Sequence, residues 1–210
     1  MSPVFRRDAP TDDELAAFER DGYIAYADIL DDAFRDALVA EILGRDDVRA
    51  FLDTPESAGT VHFVRPWDDR GPASDRLIDA PLVQALLAAT VGPDIHFCHS
   101  SFNVARRGAG RVPIHQDHHH WFHENPVNVA EREKKYIQIL YYPNGFVAGD
   151  RSLSVLPGSH RVSPTPDVTP ERMLAGELDD QAGRPLRLEH LTLPPGSMVY
   201  LNARMFHGVE

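Results

Sequence analysis

Apolar positions recur at helical spacing in the first part of the chain and at strand spacing in the rest. Thr11, Asp12, Asp13 and Glu14 form a capping box, in which the Thr11 hydroxyl accepts from the third helical amide while Glu14 reaches back. Leu15 and Phe18 then supply one apolar face, and Gly22 stops the helix. Residues 23–26 read as a short strand. A second helix starts near Asp31 or Asp32, turns Phe34, Leu38 and Ile42 inward and ends at Gly44. A third opens on Pro81, a good first-turn residue, and carries Leu82, Leu86 and Leu87 towards Gly92.

From residue 94 onward the period changes. Short runs rich in apolar or aromatic residues cover 94–104, 111–117, 136–142, 152–156, 186–193 and 197–202. Gly, Pro and Asn separate them, as in Pro143-Asn144-Gly145, Pro157-Gly158 and Pro194-Pro195-Gly196. Such spacing predicts an antiparallel sandwich or barrel rather than alternating βαβ units. The stretch 162–183, with Pro164, Pro166 and Pro170, reads as a long surface excursion holding one helical turn after Thr169. No internal repeat or low-complexity tract interrupts the pattern, and 210 residues fit one domain.

Composition narrows the function classes. The chain carries 21 Lys+Arg against 32 Asp+Glu, a formal net charge of −11. A surface so acidic repels phosphate backbones and anionic lipid, so neither nucleic acid nor a membrane is expected as a partner. No apolar stretch approaches the ~20 residues of a membrane span, and the N-terminus lacks the apolar region of a secretory signal. The single cysteine, Cys98, excludes an internal disulfide and points to a reducing, cytoplasmic setting. By default Cys98 is a small buried hydrophobe on a strand. The oligomeric state is not legible.

Eleven histidines are many for this length, and five of them fall between His115 and His123. The sharpest element there is His115-Gln116-Asp117. On a strand, residues two apart share a face, so His115 and Asp117 project into one space while Gln116 points away. An imidazole and a carboxylate so placed can fill two adjacent positions of a metal. A third ligand from a distant strand completes a 2-His-1-carboxylate facial triad, the arrangement of non-haem Fe(II) oxygenases. The tripeptide alone is a weak pattern.

Four stretches, in order, give it context. Phe18-Glu19-Arg20-Asp21-Gly22-Tyr23 is followed by Ile114-His115-Gln116-Asp117, then by Leu153-Ser154-Val155-Leu156-Pro157-Gly158-Ser159-His160-Arg161. The last is Leu193-Pro194-Pro195-Gly196-Ser197-Met198-Val199-Tyr200 with Met205-Phe206-His207-Gly208. With these, the chain resembles the phytanoyl-CoA dioxygenase family of Fe(II)/2-oxoglutarate-dependent oxygenases. The resemblance implies a mainly β fold, a double-stranded β-helix (a jelly-roll, cupin-like barrel) with flanking N-terminal helices. It implies Fe(II) held by His115, Asp117 and His207, with 2-oxoglutarate and O2 as co-substrates and a small molecule as substrate. The reaction implied is hydroxylation, or another oxidation of a C–H bond, with release of succinate and CO2. Because Asp117 occupies the carboxylate position, which halogenating relatives leave empty for chloride, hydroxylation is favoured over halogenation.

Lesser roles follow from position. Asn103, on the strand entering the site, and Gln138, on the strand after the metal motif, are candidates for hydrogen-bonding the co-substrate. His120, Trp121 and His123 are candidates for the substrate pocket, and His118, His119 and Phe122 share their segment. His160 reads as a structural hydrogen-bonder, and His62, His96, His99 and His190 default to structural roles. In the family an Arg beyond the distal His clamps the far carboxylate of 2-oxoglutarate, a task suited to a planar guanidinium. The sequence ends three residues after His207. The expectation is therefore a chain lacking its C-terminal strand or strands, the other reading being that Arg106, Arg107, Arg111 or Arg204 substitutes. A cupin-type metal enzyme that does not use 2-oxoglutarate and a non-catalytic jelly-roll binding module remain open beside the oxygenase. There is no glycine-rich phosphate loop, no Gly-x-Ser-x-Gly elbow and no Cys-x-x-Cys pair.

Overall fold

A computed structural model describes residues 3–55, 61–64, 70–106, 108–117, 136–146, 152–162 and 165–209. Its N-terminal part is helical. Helix α1 spans Asp12–Asp21, with the Thr11 hydroxyl accepting from the Glu14 amide at 3.3 Å and the Glu14 carboxylate accepting from the Thr11 amide at 2.8 Å. Strand β1 (Tyr23–Tyr26) follows, then α2 (Asp32–Leu43), α3 (Asp46–Asp53), β2 (Val61–Val64), α4 (Pro72–Arg76) and α5 (Pro81–Thr90). The remaining elements are β3 (Phe102–Ala105), β4 (Val112–His115), β5 (Ile137–Tyr142), β6 (Leu153–Val155), α6 (Pro170–Leu174), β7 (Glu189–His190), β8 (Ser197–Asn202) and β9 (His207–Val209).

The strands form three antiparallel sheets, ordered β1-β8-β5, β4-β9-β6-β7 and β2-β3. Among the described residues they do not close into a complete barrel. Strand β8 is the spine, paired on both sides and buried at all six positions. Its alternation divides the core in two. Met198 and Tyr200 pack with Phe18, Phe34, Leu38, Leu82 and Leu86 on the helical side. Val199 and Leu201 pack with Leu153, Val155, Leu193 and Met205 on the other. The Tyr200 hydroxyl, buried at the helical side, is matched by the Thr90 hydroxyl at 2.6 Å, which removes the cost of burying either alone.

The joint between α1 and the sheets is tight. Gly22 sits in the left-handed region at φ 87°, donates its amide to the Phe18 carbonyl and accepts at its carbonyl from the Asn202 amide. A Cβ there would lie 2.5 Å from His160 Nδ1. His160, in the 3-10 turn Ser159–Arg161, is thus wedged under the end of α1. Burial lowers its pKa to about 4, with Arg161 and Arg204 adding to the fall and a hydrogen bond to the Glu19 backbone opposing it. The folded chain therefore keeps His160 neutral where the unfolded chain protonates it. Stability is full above the unfolded value of 6.5 and is lost as pH falls towards about 4. The loss attributable to His160 is on the order of 3 kcal/mol. His160→Gln is expected to flatten that part of the decline in urea midpoint between pH 7 and 4.5; an unaltered pH dependence would refute it.

Several expectations change. The strand expected over 94–104 shortens to β3, and most of 94–101 is exposed without regular structure. Ile95 and Phe97 are exposed, so apolar alternation there does not signal a buried face. Cys98 lies in the same stretch and is exposed, not a buried strand residue. The strand expected over 186–193 reduces to two residues of β7, because Leu186 and Leu193 pack into separate clusters on either side of it. Helices α3 and α4 were not anticipated. In the stretch 162–183, Thr169 caps α6 as expected, but Met173 turns inward to a cluster with Ile114, Leu156, Leu186 and Phe206. Among the described residues no helix is long and apolar enough to cross a membrane.

Candidate metal centre

Strands β4 and β9 meet with His115 directly opposite His207, and β6 pairs with β9 on its other side through Val155. Ile114 and Phe206 point outward into the cluster around Leu156, so their neighbours His115 and His207 point the opposite way. Asp117 follows two residues beyond His115, on the same side. One ligand atom from each of His115, Asp117 and His207 lies within 4.8 Å of the others. His115 Nε2 is 3.4 Å from Asp117 Oδ1, and His207 Nε2 is 3.5 Å from Asp117 Oδ2.

The ring nitrogens are sorted by the backbone. His115 Nδ1 donates to the Pro113 carbonyl at 2.7 Å, and His207 Nδ1 donates to the Met205 carbonyl at 3.0 Å. A carbonyl only accepts, so in each neutral ring the proton sits on Nδ1 and the Nε2 lone pair faces the cluster. Electrostatics divides the pair. The Asp117 carboxylate raises the pKa of His115, whereas burial lowers that of His207, with His115 also opposing its protonation. The site is graded in depth, since the His207 side chain is 6% exposed against 28% for Asp117 and 38% for His115.

This donor set fits a divalent metal. Bonds of ~2.1 Å at right angles separate neighbouring ligand atoms by ~3 Å, so the 3.4 and 3.5 Å spacings from Asp117 to the two histidines need only a small contraction. Two imidazoles and one carboxylate are the donor set of a non-haem Fe(II) oxygenase.

The other candidates are dispersed. Gln138 shares the side of β5 that carries Leu140 and Tyr142 to the Leu201 core, and its Oε1 is buried with no hydrogen-bond partner among the described residues. Asn103 lies on β3 opposite Phe63 and is exposed. Arg106 donates to the Phe51 and Thr54 carbonyls at the end of α3, so its guanidinium is held away from a clamp role. His62 stacks on Phe51 beside Asp47, and His190 meets the Ser154 hydroxyl, both in structural settings. His118, His119, His120, Trp121, Phe122, His123 and Arg107 lie outside the described residues. Tyr136, which the sequence does not single out, is close enough to Asp117 to feel its charge. Burial first, then Cys98, pushes its phenol up to about 12, so it remains a neutral hydrogen-bond donor. Only its place just before β5 hinted at this.

The phytanoyl-CoA dioxygenase (PhyH) profile matches residues 18–210. The chain belongs to the phytanoyl-CoA dioxygenase family. It is thereby an Fe(II)/2-oxoglutarate-dependent oxygenase. Among solved structures the fold resembles apo EctD from S. alaskensis (22% identity, TM-score 0.68), over 100% of this chain and 76% of that one. It also resembles HygX from Streptomyces hygroscopicus, solved with nickel, 2-oxoglutarate and hygromycin B (15% identity, TM-score 0.66), over 100% and 82% of the two chains. A third is SnoK, a non-haem α-ketoglutarate-dependent carbocyclase from nogalamycin biosynthesis (14%, TM-score 0.68), over 100% and 81%. No curated protein matches the chain in sequence.

Proposed function

We propose that this member of the phytanoyl-CoA dioxygenase family hydroxylates a C–H bond of a small molecule, with His115, Asp117 and His207 as the ligands of its Fe(II). The observation that carries this reading is the convergence of those three side chains from two paired strands. Fe(II) with 2-oxoglutarate and O2 supplies the oxidant when bound, one oxygen atom going to succinate as CO2 leaves and the other to the substrate. The chain's own residues hold and orient. The Pro113 and Met205 carbonyls keep both Nδ1 protons in place, so each Nε2 is ready as a donor. Asp117 adds the anionic donor on the more exposed side.

Gln138, on the side of β5 that faces the core beside Leu201, is proposed to donate through its Nε2 to 2-oxoglutarate, and Asn103 is proposed with it. His120, Trp121 and His123, just beyond Asp117 in sequence, are proposed to line the substrate pocket. HygX and EctD have been solved with hygromycin B and 5-hydroxyectoine, which supports a small polar molecule as the substrate class. The lone Cys98 and the acidic composition support a cytoplasmic location without nucleic-acid partners. Anaerobic addition of Fe(II) and 2-oxoglutarate is expected to produce the weak visible charge-transfer band of the chelate, and admission of oxygen to release succinate. A preparation with neither band nor succinate would overturn the reading.

A further inference from the structure

Gln116 stands between two proposed ligands, yet its side chain leaves the site and donates to the Arg204 carbonyl, in the turn that precedes His207. The strands it joins are loosely laddered. Val112 pairs with Val209 and His115 with His207, so three steps along β4 answer two along β9, and an irregularity lies between. The ladder stops at the histidine pair. Phe206, the next residue on β9's side, is committed to the opposite neighbour. Its amide donates to the Ser159 hydroxyl at 2.9 Å, and its carbonyl accepts from the Leu156 amide at 2.9 Å.

Past that point Gln116 reaches across instead. The carbonyl it grips belongs to a well-tied turn: the Arg204 amide donates to Asn202 Oδ1 at 3.1 Å, and the Met205 amide to the Asn202 carbonyl at 2.8 Å. Asp117 is one residue further on, beyond the end of β4. We infer that Gln116 is a positioning residue, a side-chain rung that sets Asp117 at bonding distance from the metal held by the two histidines. The inference rests on the ligand assignment above. Outer-shell partners that orient ligands typically contribute 10–100-fold in metal affinity.

The test compares wild type with Gln116→Glu, which keeps the shape without an amide donor, and Gln116→Lys, which restores a donor. Each apo protein is melted, then titrated anaerobically with Fe(II), and its Co(II) form is examined by visible absorption. Gln116→Glu is expected to weaken Fe(II) binding by about tenfold or more and to alter the Co(II) spectrum. Gln116→Lys is expected to recover most of the affinity and the native spectrum, with apo melting temperatures close to wild type. Native affinity and spectrum in Gln116→Glu would overturn the inference, as would a folded Gln116→Lys that binds no better than Gln116→Glu. Should Gln116→Glu fail to fold, Gln116→Met and Gln116→Lys carry the same comparison. A wild-type chain that binds no Fe(II) overturns the ligand assignment itself, an outcome distinct from tight binding in every variant.

Discussion

Replacing His115 with alanine is expected to abolish iron binding while leaving the fold largely intact. His115 is one of three proposed donors, and the remaining two cannot hold a facial site. Since even outer-shell partners cost 10–100-fold, loss of a direct ligand is expected to exceed about a hundredfold. The fold is spared because the His115 side chain is 38% exposed and its strand stays paired through backbone groups. His207→Ala is expected to lose iron equally but to melt lower, because His207 is 6% exposed at the centre of a sheet and its removal opens a cavity. Iron content by metal analysis, beside the apo melting temperature, separates the two effects. Unchanged iron stoichiometry in His115→Ala would refute its assignment.

Gly208→Ala is expected to damage stability and site together. A Cβ at Gly208 would lie 2.5 Å from the Val112 carbonyl, 3.0 Å from the Pro113 carbonyl and 3.1 Å from Ile114 Cδ1. Two of these are backbone atoms that cannot swing aside. Strand β9 must therefore draw back from β4, and Pro113 is the residue whose carbonyl orients His115. Overpacking of this kind costs about 3 kcal/mol at the upper end of its usual range, or roughly 10 °C in Tm for a chain this long. Iron affinity is expected to fall as well, since His207 adjoins the displaced residue. A Gly208→Ala protein with native Tm and affinity would show that the two strands approach less closely than described.

Local chemistry was the legible part of the sequence. The capping box at Thr11, the stop at Gly22 and the inward faces of α1, α2 and α5 follow from propensity and period alone, and they form as read. So does the shared side of His115 and Asp117, a direct product of strand geometry. His207 is another matter. It lies ninety residues from Asp117 with no local pattern of its own, and only the family resemblance drew it in. Helix α3 is not legible in the sequence because its eight residues bury Val48 alone, too little apolar signal to mark a helix. The stretch around Cys98 misled for the converse reason: its residues favour strands, but propensity does not say whether a partner strand is at hand. The grip of Gln116 on Arg204 was out of reach, since its acceptor is a backbone carbonyl that any residue type presents.

The position of β8 has a further consequence for how the site comes apart. With a neighbour on each side and six buried residues, β8 has the character of a segment whose amides exchange only on global unfolding. His207 follows it by a single tied turn, whereas His115 ends β4 and Asp117 lies just past it, and β4 is joined to β9 by two register pairs and has no other partner strand among the described residues. The proposed iron ligands thus belong to two regions of unequal local stability. Transient opening is expected to begin on the β4 side, where two of the three proposed donors would leave together while His207 stays in place.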